Sequence, residues 1–291
     1  MTVWKLAWDG GVHDFGAVSV ARVDFGSPSH RTDDESVPRG DGVWMGQDFQ
    51  APGDVVLDVS VSVCGPDPDA LRENVRTIAA GFTSAWNDSA LRDRPGVLAE
   101  LWCGEIGIVE GRPRGVSWDW ENYAVGYLTG TARFVRDSDR MYDPAAAAWQ
   151  SARVGIVSPD SGGLVAPLVA PLSTARPSTR AQDFIVSGES TWPIIEVRGP
   201  LQDGGRIELV GQWVAFLNRG FAAGDEVVID TRPGRRSMTL NGAPVNVLSP
   251  SGARMDQMVL PPGSRSVALR GTSVTGTAEV TVLWREMKAG F

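Results

Sequence analysis

Two clusters of acidic residues are the features of this 291-residue sequence most able to support chemistry. Asp33, Asp34 and Glu35 are consecutive, and Glu226 follows Asp225. A glycosidase needs two carboxyl groups that flank one bond, about 5 to 9 Å apart. Asp225 and Glu226 are neighbours in a predicted strand, so their side chains point to opposite faces. The first cluster falls in a polar stretch where its carboxylates are solvated. We therefore expect no catalytic residues.

The sequence contains no other spacing typical of catalysis or ligand binding. It lacks glycine-rich phosphate-binding loops, the GxSxG turn of serine hydrolases, and the HExxH and CxxC spacings. His13 and His30 lack the spacing of metal ligands and are predicted to lie in loops or at the surface. Cys64 and Cys103 are predicted to be buried free thiols in strands, with a disulfide between them as the alternative. No metal or cofactor is expected.

Tryptophan is abundant, with eleven residues, and two roles are open for these rings. Exposed tryptophans bind sugars, which would suit a carbohydrate-binding domain. Rings on apolar faces fill cores and subunit interfaces instead. The apolar surroundings of Trp86, Trp102 and Trp284 favour the second role.

A basic turn is predicted at Arg112-Pro113-Arg114, within an acidic half of the chain. Its arginines could pair with an Asp or Glu of a neighbouring subunit, or they could be solvated. The candidate subunit-interface residues are Trp44, Arg112, Arg114, Trp118 and Trp120.

Charge is distributed unevenly along the chain. Residues 1–152 hold 13 Lys and Arg against 23 Asp and Glu, a net −10, and residues 153–291 hold 14 against 12, a net +2. Such an acidic first half argues against specific nucleic-acid binding, which needs basic surface. The sequence has no run of about 18 uncharged apolar residues and no secretory leader, so we expect a soluble protein made in a cytoplasm.

The predicted elements divide the chain into an α+β half and an all-β half. In the first half, an alternating strand at Val55 to Val63 precedes one helix at about 67–86, which begins at Asp67-Pro68. Residues 27–42 are predicted to be an extended loop. In the second half, short strands separated by Pro and Gly turns are typical of a β-sandwich. Its best-specified hairpin is 224–242, with Asn241-Gly242 predicted to form a type I′ turn.

The predicted domain limits are 1–152 for the first domain, 153–182 for a linker and 183–291 for the second domain. The linker assignment depends on an alanine-, proline- and serine-rich composition without periodicity.

The order of several segments resembles siphophage distal tail proteins, often called minor tail proteins in phages of actinobacteria. In the second half these segments are TWPIIEVRGP (191–200), GDEVVIDTR (224–232), SMTLNG (237–242), LPPG (260–263) and TGTAEVTVLWRE (275–286). In the first half they are VPRGDG (37–42), WMGQDF (44–49), VVLDVSVSV (55–63), the helix ending at Trp86, and GRPR (111–114).

This resemblance implies a non-enzymatic virion protein, made in the bacterial cytoplasm, that forms a homohexameric ring at the tail tip. The ring would join the tail tube to the baseplate hub and continue the DNA channel. The first domain would form the ring, and the second would be a galectin-like β-sandwich. The implied partners are the tail tube protein, the tape measure protein, and the baseplate hub or tail-associated proteins.

Two further functions remain as alternatives. The first is a carbohydrate-binding adhesin that contacts a host surface glycan through the second domain, and the other is a polysaccharide-degrading enzyme. For the ring, the acidic first half suggests the hypothesis of an acidic lumen that repels DNA.

Overall fold

The computed structural model describes residues 4–46, 48–146, 148–156, 181–273 and 275–288, and leaves out the side chains of Arg31, Phe49 and Gln50. The chain divides into two compact units. The first contains the described residues up to Ala145 together with Lys288, and the second contains those from Ala146 to Met287. None of the described helices is long and apolar enough to cross a bilayer.

The first unit is built mainly from antiparallel strands. Its strands are β1 (Trp4–Trp8), β2 (Gly11–Asp14), β3 (Val18–Asp24), β4 (Ser29–Thr32), β5 (Glu35–Ser36), β6 (Val43–Trp44), β7 (Asp48–Ala51), β8 (Val55–Ser62), β9 (Ala99–Cys103), β10 (Gly107–Asp119), β11 (Tyr127–Arg136) and β12 (Met141–Tyr142). The main sheet has the order β2-β1-β9-β10-β11-β8-β3, with β12 paired to β10. Two helices, α1 (Pro68–Trp86) and α2 (Ser89–Arg92), and a 3₁₀ turn at Tyr123–Val125 complete the unit.

Helix α1 begins where the sequence predicts. The carboxylate of Asp67 accepts a hydrogen bond from the Asp69 N–H at 3.0 Å, and Pro68 occupies the first turn, where no donor is lost. The apolar stripe of the helix turns towards the core. Its buried members are Val75, Ala79, Phe82 and Trp86.

Strand β8 shows the alternation that its sequence predicts. Val55, Leu57, Val59 and Val61 are buried beneath α1, and the residues between them are partly or fully exposed. β8 therefore has one face in the core and one face towards solvent.

Strand β10 corrects the prediction of a turn at Arg112-Pro113-Arg114. It is continuous from Gly107 to Asp119, with a register shift between Pro113 and Gly115. Its first part pairs with β9 and its second part pairs with β11. Proline is tolerated because the 112–119 part has no second strand partner among the described residues, so no ladder bond is lost on that edge.

The prediction of an extended loop at 27–42 was also wrong. β4 pairs with β7, and β5 pairs with β6, so residues 29–46 and 48–51 form a two-stranded ribbon. We call this ribbon the arm. Its strands carry polar residues on both faces, and so they lack the alternation by which strands are recognised.

The second unit is an antiparallel β-sandwich, as predicted. Its strands are β13 (Gln150–Gly155), β14 (Gln182–Val186), β15 (Ile194–Arg198), β16 (Arg206–Leu209), β17 (Trp213–Phe216), β18 (Glu226–Asp230), β19 (Ser237–Leu240), β20 (Ala243–Pro244), β21 (Gly263–Arg270) and β22 (Glu279–Trp284). The last described strand, β23 (Met287–Lys288), belongs instead to the sheet that contains β12. One sheet has the order β13-β22-β15-β18-β19-β20 and the other β14-β21-β16-β17. Side chains from both sheets form one core.

The turn that joins β19 to β20 forms as predicted. Asn241 and Gly242 both have positive φ, 52° and 79°, as a type I′ turn requires. Strand β13 pairs with β22, so Gln150–Gly155 belongs to the sandwich sheet, and the unit boundary lies at 145/146, ahead of the predicted domain end at 152. Most of the predicted linker, residues 157–180, lies outside the described residues.

Candidate interaction surfaces

The outer face of the strands β10, β11, β8 and β3 is polar. One row of cross-strand neighbours runs Ser117, Thr131, Asp58 and Arg22. The next row runs Asp119, Thr129, Ser60 and Ser19. Hydroxyl groups therefore dominate this face, with carboxylates among them.

This four-stranded portion has two unpaired edges. On one side β3 pairs only with β8, and on the other the 112–119 part of β10 pairs only with β11, within the described residues. Both edge strands contain a register irregularity, one between Val20 and Arg22 and the other between Pro113 and Gly115. Unpaired edges offer backbone N–H and C=O groups to another strand, and bulges limit uncontrolled pairing.

The arm leaves the sheet through a tightly packed base. The chain segments that enter and leave the arm approach each other at Gly26 and Gly53. A Cβ atom on Gly53 would collide with the backbone of Gly26, so this close approach requires glycine. The buried guanidinium of Arg136 donates from Nε to the Gly53 carbonyl at 2.8 Å. Next to it, Arg133 Nε donates to Asp54 Oδ2 at 2.7 Å.

Beyond its base, the arm is open to solvent. Every residue from Ser29 to Ala51 whose side chain is described is exposed, apart from the partly buried Val37. Near its tip Val43, Trp44 and Met45 are 52%, 57% and 84% exposed. Trp44, a predicted interface residue, is therefore available for contact.

The structure separates the two predicted interface arginines. Arg112 is engaged within the chain: its Nε donates to the Val97 carbonyl at 2.6 Å, and its Nη2 donates to the Arg94 carbonyl. Arg112 thereby holds the turn that carries Arg94. Arg114 and Arg94 are exposed, and neither has an ion-pair partner among the described residues.

The two predicted interface tryptophans of β10 border an open groove beside α1. Trp118 is half-buried, and its Nε1 donates to Thr83 Oγ1 at 2.9 Å. Trp120 is 49% exposed and packs edge-on against Tyr123. The groove has a volume of about 610 Å³ and also contacts Arg76, Ser84 and Asn87.

The acidic clusters do not form a catalytic pair. Asp33, Asp34 and Glu35 lie on the exposed arm, where Asp34 accepts from the Gly46 N–H at 2.8 Å. The Asp225 carboxylate accepts from Asn241 Nδ2 at 2.9 Å and from the Ala222 N–H at 2.8 Å. These two bonds lower its pKa, the opposite of what a general acid needs.

The thiols and imidazoles show no ligand cluster. Cys103 is buried and Cys64 is exposed after the end of β8, and both are free, so the prediction of a buried Cys64 was wrong. His30 is exposed as expected, whereas His13 lies half-buried in β2 against Phe15 and Phe82. Over the described residues, no three His, Cys, Asp or Glu side chains are placed to hold a metal ion.

The second unit offers little aromatic surface for a sugar. Trp213 and Trp284 are buried. Among its described residues, the exposed large apolar side chains are Trp149, Ile185 and Val210. The Trp149 ring lies 5.3 Å from the Arg232 guanidinium carbon, which stacks on it. A sugar platform would need more open rings than this, so no described feature favours the adhesin alternative.

The two units together define a mainly β chain in which a sheet unit with one long helix is followed by an antiparallel sandwich. The same fold is found in the SPP1 Dit (gp 19.1) protein, whose crystal structure is described as a paradigm of the hub adsorption apparatus in phages that infect Gram-positive bacteria. The alignment covers 99% of this chain and 100% of that chain, with a TM-score of 0.57 and 14% sequence identity.

Two structures of the phage P2 baseplate in its activated conformation also align, with TM-scores of 0.45 and 0.47 and 11% identity. Each alignment covers 97% of this chain and 98% of the other. Similarity this loose adds nothing to the fold assignment. No protein-family model and no curated protein matches the sequence.

Proposed function

We propose that this protein is a non-enzymatic structural component of a phage tail tip, where six copies form a ring between the tail tube and the baseplate hub. The fold of the hub protein SPP1 Dit, matched along the whole of both chains, supports this function.

The observation that carries the proposal is the pair of unpaired edges on opposite sides of one sheet. β3 of one copy can pair with the 112–119 part of β10 of the next copy, and the same contact can repeat around a ring. A head-to-tail contact of this kind closes when the rotation between copies divides a full turn. Closure also removes the exposed edges, which are otherwise sites of aggregation.

In such a ring the polar face of β10, β11, β8 and β3 would line the channel. It carries Asp24, Asp58 and Asp119 among serine and threonine hydroxyls, together with Arg22 and Arg133, which form ion pairs with Asp24 and Asp54. A hydroxyl-rich lining with a carboxylate excess would give DNA few cationic groups to bind. This deepens the hypothesis of an acidic lumen, and an assembled ring lined by basic residues would contradict it.

The proposed partners follow from this position in the virion. They are further copies of this chain, the tail tube protein, the tape measure protein, and baseplate hub or tail-associated proteins. DNA would pass through the channel without specific recognition.

Electron microscopy of the purified chain tests the proposal. Negative-stain images and mass photometry over a range of concentrations should show six-fold rings in equilibrium with smaller species. Immunogold labelling of the parent phage should place the protein at the tail tip. A chain that stays monomeric at high concentration, together with label elsewhere on the virion, would overturn the proposal.

A further inference from the structure

The arm has no core of its own. Its described side chains are exposed from Ser29 to Ala51 except for Val37, and within the described part of the chain its strands pair only with each other. An isolated two-stranded ribbon is marginally stable in water. A ribbon that also exposes Trp44 and Met45 gains stability by packing on another surface.

The arm is acidic, and its charge is uncompensated. Residues 29–51 contain five Asp and Glu against two Arg. Among the described residues, no ion pair involves the acids Asp33, Asp34, Glu35, Asp41 or Asp48. A matching surface should therefore be basic, with cations that are also unpaired.

Arg94 and Arg114 provide such a surface. Both are exposed, and neither has an ion-pair partner in the part of the chain that the structure describes. Arg112 fixes their separation, because it lies two positions before Arg114 in β10 and holds the Arg94 turn through two hydrogen bonds. The two cations are thus set on one rigid support.

The arm and these arginines lie at the same level on opposite edges of the sheet. The arm follows β3, whose last residue, Asp24, pairs with Val56. Val56 pairs with Arg133, and Arg133 with Gly115, directly after Arg114. In a head-to-tail ring, the arm base of one copy would therefore meet the neighbour close to Arg114.

We infer that the arm of each copy binds the β10 edge of the next copy. The acids of the arm face Arg94 and Arg114 of that copy, and Trp44 and Met45 pack on its surface. The occupant is a second copy of this chain. This inference rests on the proposed ring and names the contact that fastens it.

A charge swap tests the contact. The double variants R94E/R114E and D33K/E35K should each raise the concentration for half-maximal ring formation by about tenfold or more, because each replaces attraction with repulsion. Combining the four substitutions should restore much of the assembly. D203K, an exposed charge change in the second unit, is the matched control and should leave assembly unchanged.

The results of the charge swap distinguish failure of the arm contact from failure of ring formation. Rings that form equally well in wild type and in both double variants would overturn the arm contact and leave the proposed function standing. A wild type that forms no rings would count against the proposed function itself. Circular dichroism of each variant shows whether it remains folded.

Disulfide trapping gives a second readout. In a C64S background, E35C and R114C in one chain should cross-link copies into a ladder ending at the hexamer under mild oxidation. Each single cysteine variant should give no ladder. Assembled rings of the paired variant that yield no cross-link would overturn the inference even if the charge variants misfold.

Discussion

Arg136 ties the base of the arm to the last long strand of the first unit. Its Nε donates to the Gly53 carbonyl oxygen at 2.8 Å, across 83 residues of sequence. The side chain is buried, and burial lowers the pKa of the guanidinium, which nevertheless stays protonated at any ordinary pH. Gly53 is buried as well, and a buried carbonyl that loses its donor costs free energy of folding.

Replacing Arg136 should therefore loosen the arm base. Arg136→Met keeps much of the apolar stem but leaves the Gly53 carbonyl unsatisfied, at an expected cost of about 2 kcal/mol. Urea unfolding of the first unit measures the loss, and hydrogen exchange in residues 48–56 should quicken. Arg133→Met is the control: its ion pair with Asp54 is on a largely exposed side chain, so the expected cost is about 0–1 kcal/mol. If both variants lost the same free energy of unfolding, this role of Arg136 would be contradicted.

Gly46 should be essential for the arm. A Cβ at this position would overlap the carbonyl oxygen of Asp33, which is backbone and cannot swing away. Gly46→Ala should therefore disrupt the pairing of β5 with β6, and trypsin should cleave faster after Arg39.

A glycine in open space provides the comparison. An added Cβ on Gly81 in α1 meets no atom within 4 Å. Gly81→Ala should raise stability by about 0.5–1 kcal/mol, because alanine loses less backbone entropy in a helix. Unchanged proteolysis of the Gly46→Ala arm would contradict the steric argument.

The Asp225 carboxylate should make stability depend on pH in the acidic range. Its folded pKa is lowered by the Asn241 side chain and then by the Ala222 N–H. A lowered folded pKa contributes stability above the unfolded value of about 3.9, and this contribution is lost as pH falls through the folded value. Carboxyl-carbon NMR should show Asp225 titrating below the ordinary aspartate range.

Asn241→Gly tests the cause of that shift. Glycine accepts the positive φ of the turn and removes the amide that binds Asp225. The Asp225 pKa should then rise towards its ordinary value, and stability should depend less on pH below about 4. An unchanged Asp225 titration would show that Asn241 is not the main cause.

The two thiols should react at very different rates. Burial raises the pKa of Cys103 to about 12, which leaves almost no thiolate at neutral pH. Cys64 is exposed. A chromogenic thiol reagent should therefore label one thiol per native chain and two after denaturation, and C64S should abolish native labelling. Native labelling of C64S would contradict the burial of Cys103.

The sequence predicted those elements whose signals are local. Asp67 and Pro68 mark the start of α1, alternation identifies β8, and Asn241-Gly242 specifies its own turn. In each case residues close together in sequence determine the local structure, and the element forms as predicted.

Long-range contacts explain the elements that were missed. Pro113 predicts a break, yet β10 continues because its edge is unpaired there. Arg112 looks free for a partner until the fold brings Val97 within reach. The arm shows no periodicity because neither of its faces is buried. Whether the five candidate interface residues contact another subunit stays a prediction.

The return of the chain at Lys288 makes the second unit an insertion in the first. Lys288 Nζ donates to the Glu105 carbonyl at 3.2 Å and lies 3.4 Å from Asp143 Oδ1. Stopping the chain at 145 would discard these contacts, whereas replacing 146–287 with a short glycine-rich segment would keep them. The sandwich can thus be exchanged for another domain: a different domain inserted between 145 and 288 would keep the contacts that Lys288 makes with Glu105 and Asp143.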